Sequence, residues 1–105
     1  MGRRAMIDGN QLLRWATEIL IAAGADREEA ETVADILVWC DRIDRGNQGV
    51  SRLPIFCQRL AAKGIRSPCH ISFRATSKAT GVVDANDGLG HFAAHYAMQQ
   101  AILQA

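Results

Sequence analysis

The chain has 105 residues, enough for one domain with a modest core, since a chain this size buries roughly 60–70% of its unfolded surface. Hydrophobic residues make up 49% and charged residues 22%, a globular balance that argues against disorder. Twelve Lys and Arg against eleven Asp and Glu leave a net charge of +1, without the basic excess typical of proteins that bind nucleic acid or anionic membranes.

At the start, Arg3-Arg4 would suit an export signal, but no uninterrupted apolar region follows. Met6 stands where a myristoylation signal needs Ser or Thr. Asp8 with Gln11 forms a capping-box pattern, in which the carboxylate accepts from an orphan amide of the first helical turn. Leu12, Leu13, Ala16, Ile19, Leu20 and Ala23 then recur at helical spacing, and Gly24 supplies a left-handed stop. Arg14 and Glu18 interrupt this stretch before it could span a bilayer. The grammar repeats at once: Asp26 and Glu29 make a second capping box, and Ala30, Val33, Ala34, Leu37 and Val38 form the apolar stripe. This second helix should fray among the charges from Asp41 to Arg45, before Gly46.

Asn47-Gln48-Gly49 reads as a connecting loop. A third helix is predicted from about Ser51, with Pro54 in the first turn, where a missing amide costs least. Its inward face comprises Leu53, Phe56, Cys57, Leu60 and Ala61, and Gly64 ends it. After Ser67-Pro68 the pattern changes to alternation at Ile71, Phe73 and Ala75, as in a strand. A second extended piece, Thr80 to Ala85, leads to the turn Asn86-Asp87-Gly88 and a last helix from about Gly90.

Two short strands and one helix make a poor sheet, because an isolated ribbon is marginal in water and its edges invite pairing. The expected class is therefore α+β. A three-helix segment over 1–65 is followed, over 66–105, by two strands and a helix that open a larger, truncated α/β domain. Cys40, Cys57 and Cys69 are odd in number and lack Cys-x-x-Cys spacing, which favours reduced thiols in a cytoplasmic protein over a disulfide framework or a zinc site.

The densest cluster of unusual residues is Asn47-Gln48-Gly49-Val50-Ser51-Arg52-Leu53-Pro54. It resembles the Ser-His-Gly-Val-x-Arg-Leu/Phe-Pro stretch of the type 2 malate/L-lactate dehydrogenase family. The likeness continues upstream through Ala22-Ala23-Gly24 and Ala30-x-x-Val33-Ala34-x-x-Leu37-Val38. Downstream it runs through Leu60-x-x-x-Gly64-Ile65, Val83-Asp84-Ala85-x-x-Gly88-Leu89-Gly90-His91, Ala97-Met98 and Ala101-Ile102.

The resemblance implies the N-terminal part of an enzyme that interconverts 2-hydroxy and 2-keto acids with NAD or NADP. It also implies a large, mainly antiparallel-sheet domain that is not a Rossmann fold, with the cofactor loops beyond this chain. No cofactor is expected to bind this chain alone. By the same resemblance, Arg52 is the residue that binds the substrate carboxylate, a task suited to a guanidinium fork. Gln48 stands at the position of the family's acid/base histidine, and Asn47 replaces its serine. A carboxamide donates hydrogen bonds but does not titrate near neutral pH, so Gln48 cannot pass a proton, and the chain is expected to be inactive alone. General acid–base catalysis is typically worth about 10²–10⁴-fold.

Other readings compete with this one. His91 and His95 share a helix face, but without a zinc-protease glutamate or a third ligand. They read better as a half-buried His at a helix start and a surface His one turn later. Gly88-Leu89-Gly90 lacks the third glycine of a dinucleotide fingerprint. Trp15 and Trp39 are expected in the helical layer. Gly49-Val50-Ser51-Arg52 before an apolar helix also suggests a helix-turn-helix DNA-binding domain, which Asp44, Pro54 and the balanced charge oppose. A small helical interaction module, self-associating or docking on a complete relative, is the other alternative. Nucleic acid and membrane are not expected partners.

Overall fold

A computed structural model describes residues 8–105; Arg3, Arg4 and Met6, on which the export and lipid-signal readings rest, lie outside them. The element order is α1 (Gly9–Ala22), α2 (Arg27–Arg42), two single 3₁₀ turns (Gly46–Gln48 and Val50–Arg52), α3 (Leu53–Ala61), β1 (Ser72–Ala75), β2 (Gly81–Asp84) and α4 (Gly90–Gln104).

Local chemistry sets most of these boundaries. The Asp8 carboxylate accepts from the Asn10 amide at 3.4 Å, one position earlier than a capping box predicts. Gly24 ends α1 in the left-handed region at φ +118°, and the Ala25 amide reaches back to the Leu20 carbonyl at 2.9 Å, satisfying an orphan acceptor. Asp44 does the same for α2 at φ +63°, with the Arg45 amide on the Cys40 carbonyl at 2.8 Å. In α3 the left-handed residue is Lys63, at φ +65°, and not Gly64 as the sequence suggests. Gly64 instead donates the closing bond to the Arg59 carbonyl at 2.9 Å.

The second capping box is half formed. Asp26 accepts from the Glu29 amide at 3.5 Å, but the Glu29 side chain turns away to the segment before β1. Its carboxylate accepts from the Ser67 hydroxyl at 2.5 Å and from the Cys69 amide at 2.7 Å. The Ser67 Oγ in turn accepts from the Asp26 amide at 2.7 Å. A buried carboxylate is tolerated here because donors meet both of its oxygens.

The core lies where α1, α2 and α3 meet. Ala30, Val33, Ala34 and Leu37 of α2 are completely buried against Ala16 and Leu20 of α1, and the two alanines let the helix axes come close. Leu53 and Leu60 close it from α3, and Leu89 reaches in from the turn before α4, with Ile65 and Phe92 at its edge. Ile19 and Ala61, expected inside, are exposed, and Trp15 and Trp39 are about half exposed. The antiparallel pair β1–β2 aligns Phe73 with Val83 and Arg74 with Val82. Phe73 and Val83 face α4 beside Ala97 and Ala101, and Gln104 donates to the Thr80 carbonyl at 3.2 Å. Asn86 and Asp87 make the turn at φ +50° and +63°. No helix among the described residues is long and apolar enough to cross a membrane.

Candidate functional site

The loop between α2 and α3 folds back on the last turn of α2. The Asp41 carboxylate accepts from the Val50 amide at 3.0 Å and packs flat on Gly49. A Cβ at Gly49 would overlap both carboxylate oxygens of Asp41, so the glycine is required for space; its φ of −93° is open to any residue. The Ser51 hydroxyl donates to the Gly46 carbonyl at 2.7 Å, and the Gln48 amide to the Arg45 carbonyl at 2.9 Å. Leu53, buried in the core, fixes the far end.

The backbone of the loop is thus tied down while its side chains are offered to solvent. Asn47, Gln48 and Arg52 are all exposed on the paired 3₁₀ turns. The structure places all three on one short, preformed platform, and no hydrogen bond among the described residues ties their side chains to each other. Asp41, the residue that holds the platform, reads in the sequence only as part of a fraying helix end. Its sole signal is an acidic side chain eight positions before a glycine, which means nothing until the loop is seen to double back.

A further residue joins this neighbourhood from far along the chain. His91, in the first turn of α4, is half-buried, and its ring meets Phe56 of α3 edge-on, with centroids 5.3 Å apart and planes at 81°. Burial lowers its pKa below the ordinary 6.5, and the positive charge of Arg52 lowers it further. Near neutral pH the ring is therefore predominantly uncharged. His95, one turn later, is exposed. Among the described residues no three His, Cys, Asp or Glu side chains are grouped to hold a metal ion.

Cys69 is pushed up to about 11, by burial first and then by its hydrogen bond and proximity to Glu29, and burial also raises Cys57. Both disfavour the thiolate, which is the nucleophilic form. The Gly88-Leu89-Gly90 turn does not fit a dinucleotide. A Cβ at Gly88 would lie 2.5 Å from the Cys69 Cβ, and Leu89 is committed to the core at 1% exposure. These residues serve packing. The arrangement suits recognition of a small carboxylic acid: an always-charged guanidinium beside two amides that can donate to a neighbouring oxygen.

The profile of the malate/L-lactate dehydrogenase family matches residues 7–105 of the chain. The L-sulfolactate dehydrogenase of Methanothermobacter thermautotrophicus is 30% identical over 88 residues, which is 84% of this chain and 26% of that protein. The ureidoglycolate dehydrogenase (NAD(+)) of Escherichia coli is 29% identical over 83 residues, 79% of this chain and 24% of that protein. Among solved structures, the sulfolactate dehydrogenase of Methanocaldococcus jannaschii superposes with a TM-score of 0.89 at 27% identity, over 96% of this chain and 29% of that one. The chain spans about a quarter of the length of the curated relatives it matches.

Proposed function

The chain belongs to the malate/L-lactate dehydrogenase family, and from that premise we propose that it carries the substrate-acid platform of a 2-hydroxy/2-keto acid oxidoreductase. Arg52 grips the substrate carboxylate, and Asn47 and Gln48 border the neighbouring oxygen. One observation carries the reading. Arg52 is held ready on a backbone fixed by Asp41, Ser51 and Leu53, and no hydrogen bond or ion pair among the described residues engages its guanidinium. Relatives named for sulfolactate and ureidoglycolate support the hydroxy-acid class.

Residues 1–65 form the helical segment of such an enzyme, and 66–105 contribute the opening of its catalytic domain. The family's hydride chemistry uses NAD or NADP, which the packed Gly88-Leu89-Gly90 turn has no room to cradle, and we propose that this chain alone binds the acid without reducing it. Gln48 adds a second reason. An amide at this position orients an oxygen by hydrogen bonding but neither gives up nor regains a proton.

The test is to titrate the isotope-labelled chain with oxamate, an unreactive 2-keto acid mimic. The Arg52 Nε–H and Gln48 side-chain amide resonances should move together, and Arg52→Ala should abolish both shifts. In parallel, nicotinamide absorbance with pyruvate should stay constant. Silence at Arg52, or turnover by the purified chain, would overturn the proposal.

A second reading, that this is a docking module, is favoured by α4. None of its residues is buried, and Met98, Ile102 and Leu103 are 62%, 66% and 77% exposed. Light scattering after size exclusion tests it, because a lone monomer at high concentration speaks against self-association. The helix-turn-helix alternative is not favoured by the family match.

A further inference from the structure

We propose that His91 is the proton-exchanging member of the acid-binding site built on Arg52, so that capture of a carboxylate there is coupled to uptake of a proton by this imidazole. The inference deepens the substrate-acid reading above and rests on it.

The placement comes first. Phe56 follows Arg52, the N-cap residue of α3, by four residues, about one helical turn. The His91 ring sits edge-on against Phe56, with centroids 5.3 Å apart. The imidazole resting on Phe56 lines a cleft with Arg59 and the Gly88-Leu89-Gly90 turn, and it lies within reach of the Arg52 charge. Arg59 is the charged side chain lining this cleft, Arg52 acts on the ring from the N-cap of α3, and Asp87 stands just before the turn that leads into α4. The carboxylates that α2 presents to α4, Glu31 and Asp35, lie by His95, one turn farther along α4.

The consequence is electrostatic. With Arg52 uncompensated and the ring half-buried, protonation of His91 is disfavoured, and burial and the Arg52 charge both act in that direction. A bound carboxylate cancels the Arg52 charge and places a negative group nearby, so the ring regains affinity for a proton. One N–H bond forms on the imidazole and one O–H bond breaks in hydronium or a buffer acid; no electrons are transferred. By linkage, a group that binds a proton more tightly in the complex makes the ligand bind more tightly as pH falls. The window opens as pH drops through the raised pKa of the complex and closes below the depressed pKa of the free chain. Gln48, at the family's histidine position, cannot contribute to this window, because it does not titrate.

The test follows the His91 Cε1–H resonance of the full chain through a pH titration, with and without saturating oxamate, and measures oxamate affinity at each pH. The free chain should titrate below 6.5, the oxamate complex should titrate higher, and affinity should rise about three- to fivefold from pH 8 to pH 6, at the low end of ordinary coupling strengths. His91→Gln should keep the Arg52 response while making affinity flat with pH; a merely structural role would instead weaken binding equally at every pH. An Arg52 response with an unmoved His91 midpoint overturns this inference and leaves the substrate-acid reading standing. Silence at Arg52 overturns both.

Discussion

Gly49 and Asp41 show how one pair of residues can fix a site without touching its ligand. The carboxylate occupies the volume that a Cβ at position 49 would need, and it accepts the Val50 amide. Gly49→Ala therefore forces the carboxylate off its donor, and overpacking of this kind costs about 1–3 kcal/mol. Asp41→Ala strands the Val50 amide, at about 1–3 kcal/mol. The two losses share one cause, so the double variant should cost at least about 1 kcal/mol less than their sum, measured by urea denaturation. A strictly additive result would mean that the loop is held by other contacts. The stop glycines are only partly legible for a related reason. Gly24 is the left-handed residue itself, whereas at α3 that conformation falls to Lys63 and Gly64 closes the next hydrogen bond. A shift of one position leaves the composition of the turn unchanged, so the sequence alone cannot distinguish them.

At the scale of elements, the caps at Asp8 and Asp26 and the α2 stripe are readable because both depend on residues within a turn or two. Glu29 is not. Its position three residues after Asp26 predicts a side chain returning to the cap, yet its partners lie 38 and 40 residues away at Ser67 and Cys69. This carboxylate joins the N-terminus of α2 to the segment entering β1, and through Ser67 it also supports the Asp26 amide. Because the Ser67 hydroxyl and the Cys69 amide both donate to it, the site calls for two acceptors. A glutamine in its place would offer one acceptor and one donor, and an alanine would offer neither. Glu29→Ala should cost about 3–6 kcal/mol, since it removes two hydrogen bonds to a charged group worth about 1.5–3 kcal/mol each. Glu29→Gln should cost roughly half as much. Amide exchange should report the difference at Cys69 and Asp26 before it appears in α1. Equal protection of those two amides in Glu29→Ala and the unmodified chain would refute the joint.

The whole molecule is more extended than its length requires. Its radius of gyration is 15.4 Å, where a compact chain of about 100 residues has about 13 Å. Helix α4 leans on β2 and α2 with half-buried Phe92, Tyr96 and Ala97 but buries no residue completely. Its apolar and polar residues are spread evenly around the axis, so the sequence cannot say which face will be covered. The same uniformity decides what substitution should do. Met98, Ile102 and Leu103, each more than three-fifths exposed, hold little area out of water in the monomer, so their burial contributes little to its stability. Replacing all three with Gln should leave the unfolding free energy within about 1 kcal/mol of the parent, as expected for surface positions. If this face is the docking surface of the second reading, the same triple variant should sediment as a monomer at concentrations where the parent associates. A stability loss of several kcal/mol would instead place these side chains in the monomer core. Parent and variant sedimenting identically as monomers would leave the acid platform at Arg52 as the protein's working surface.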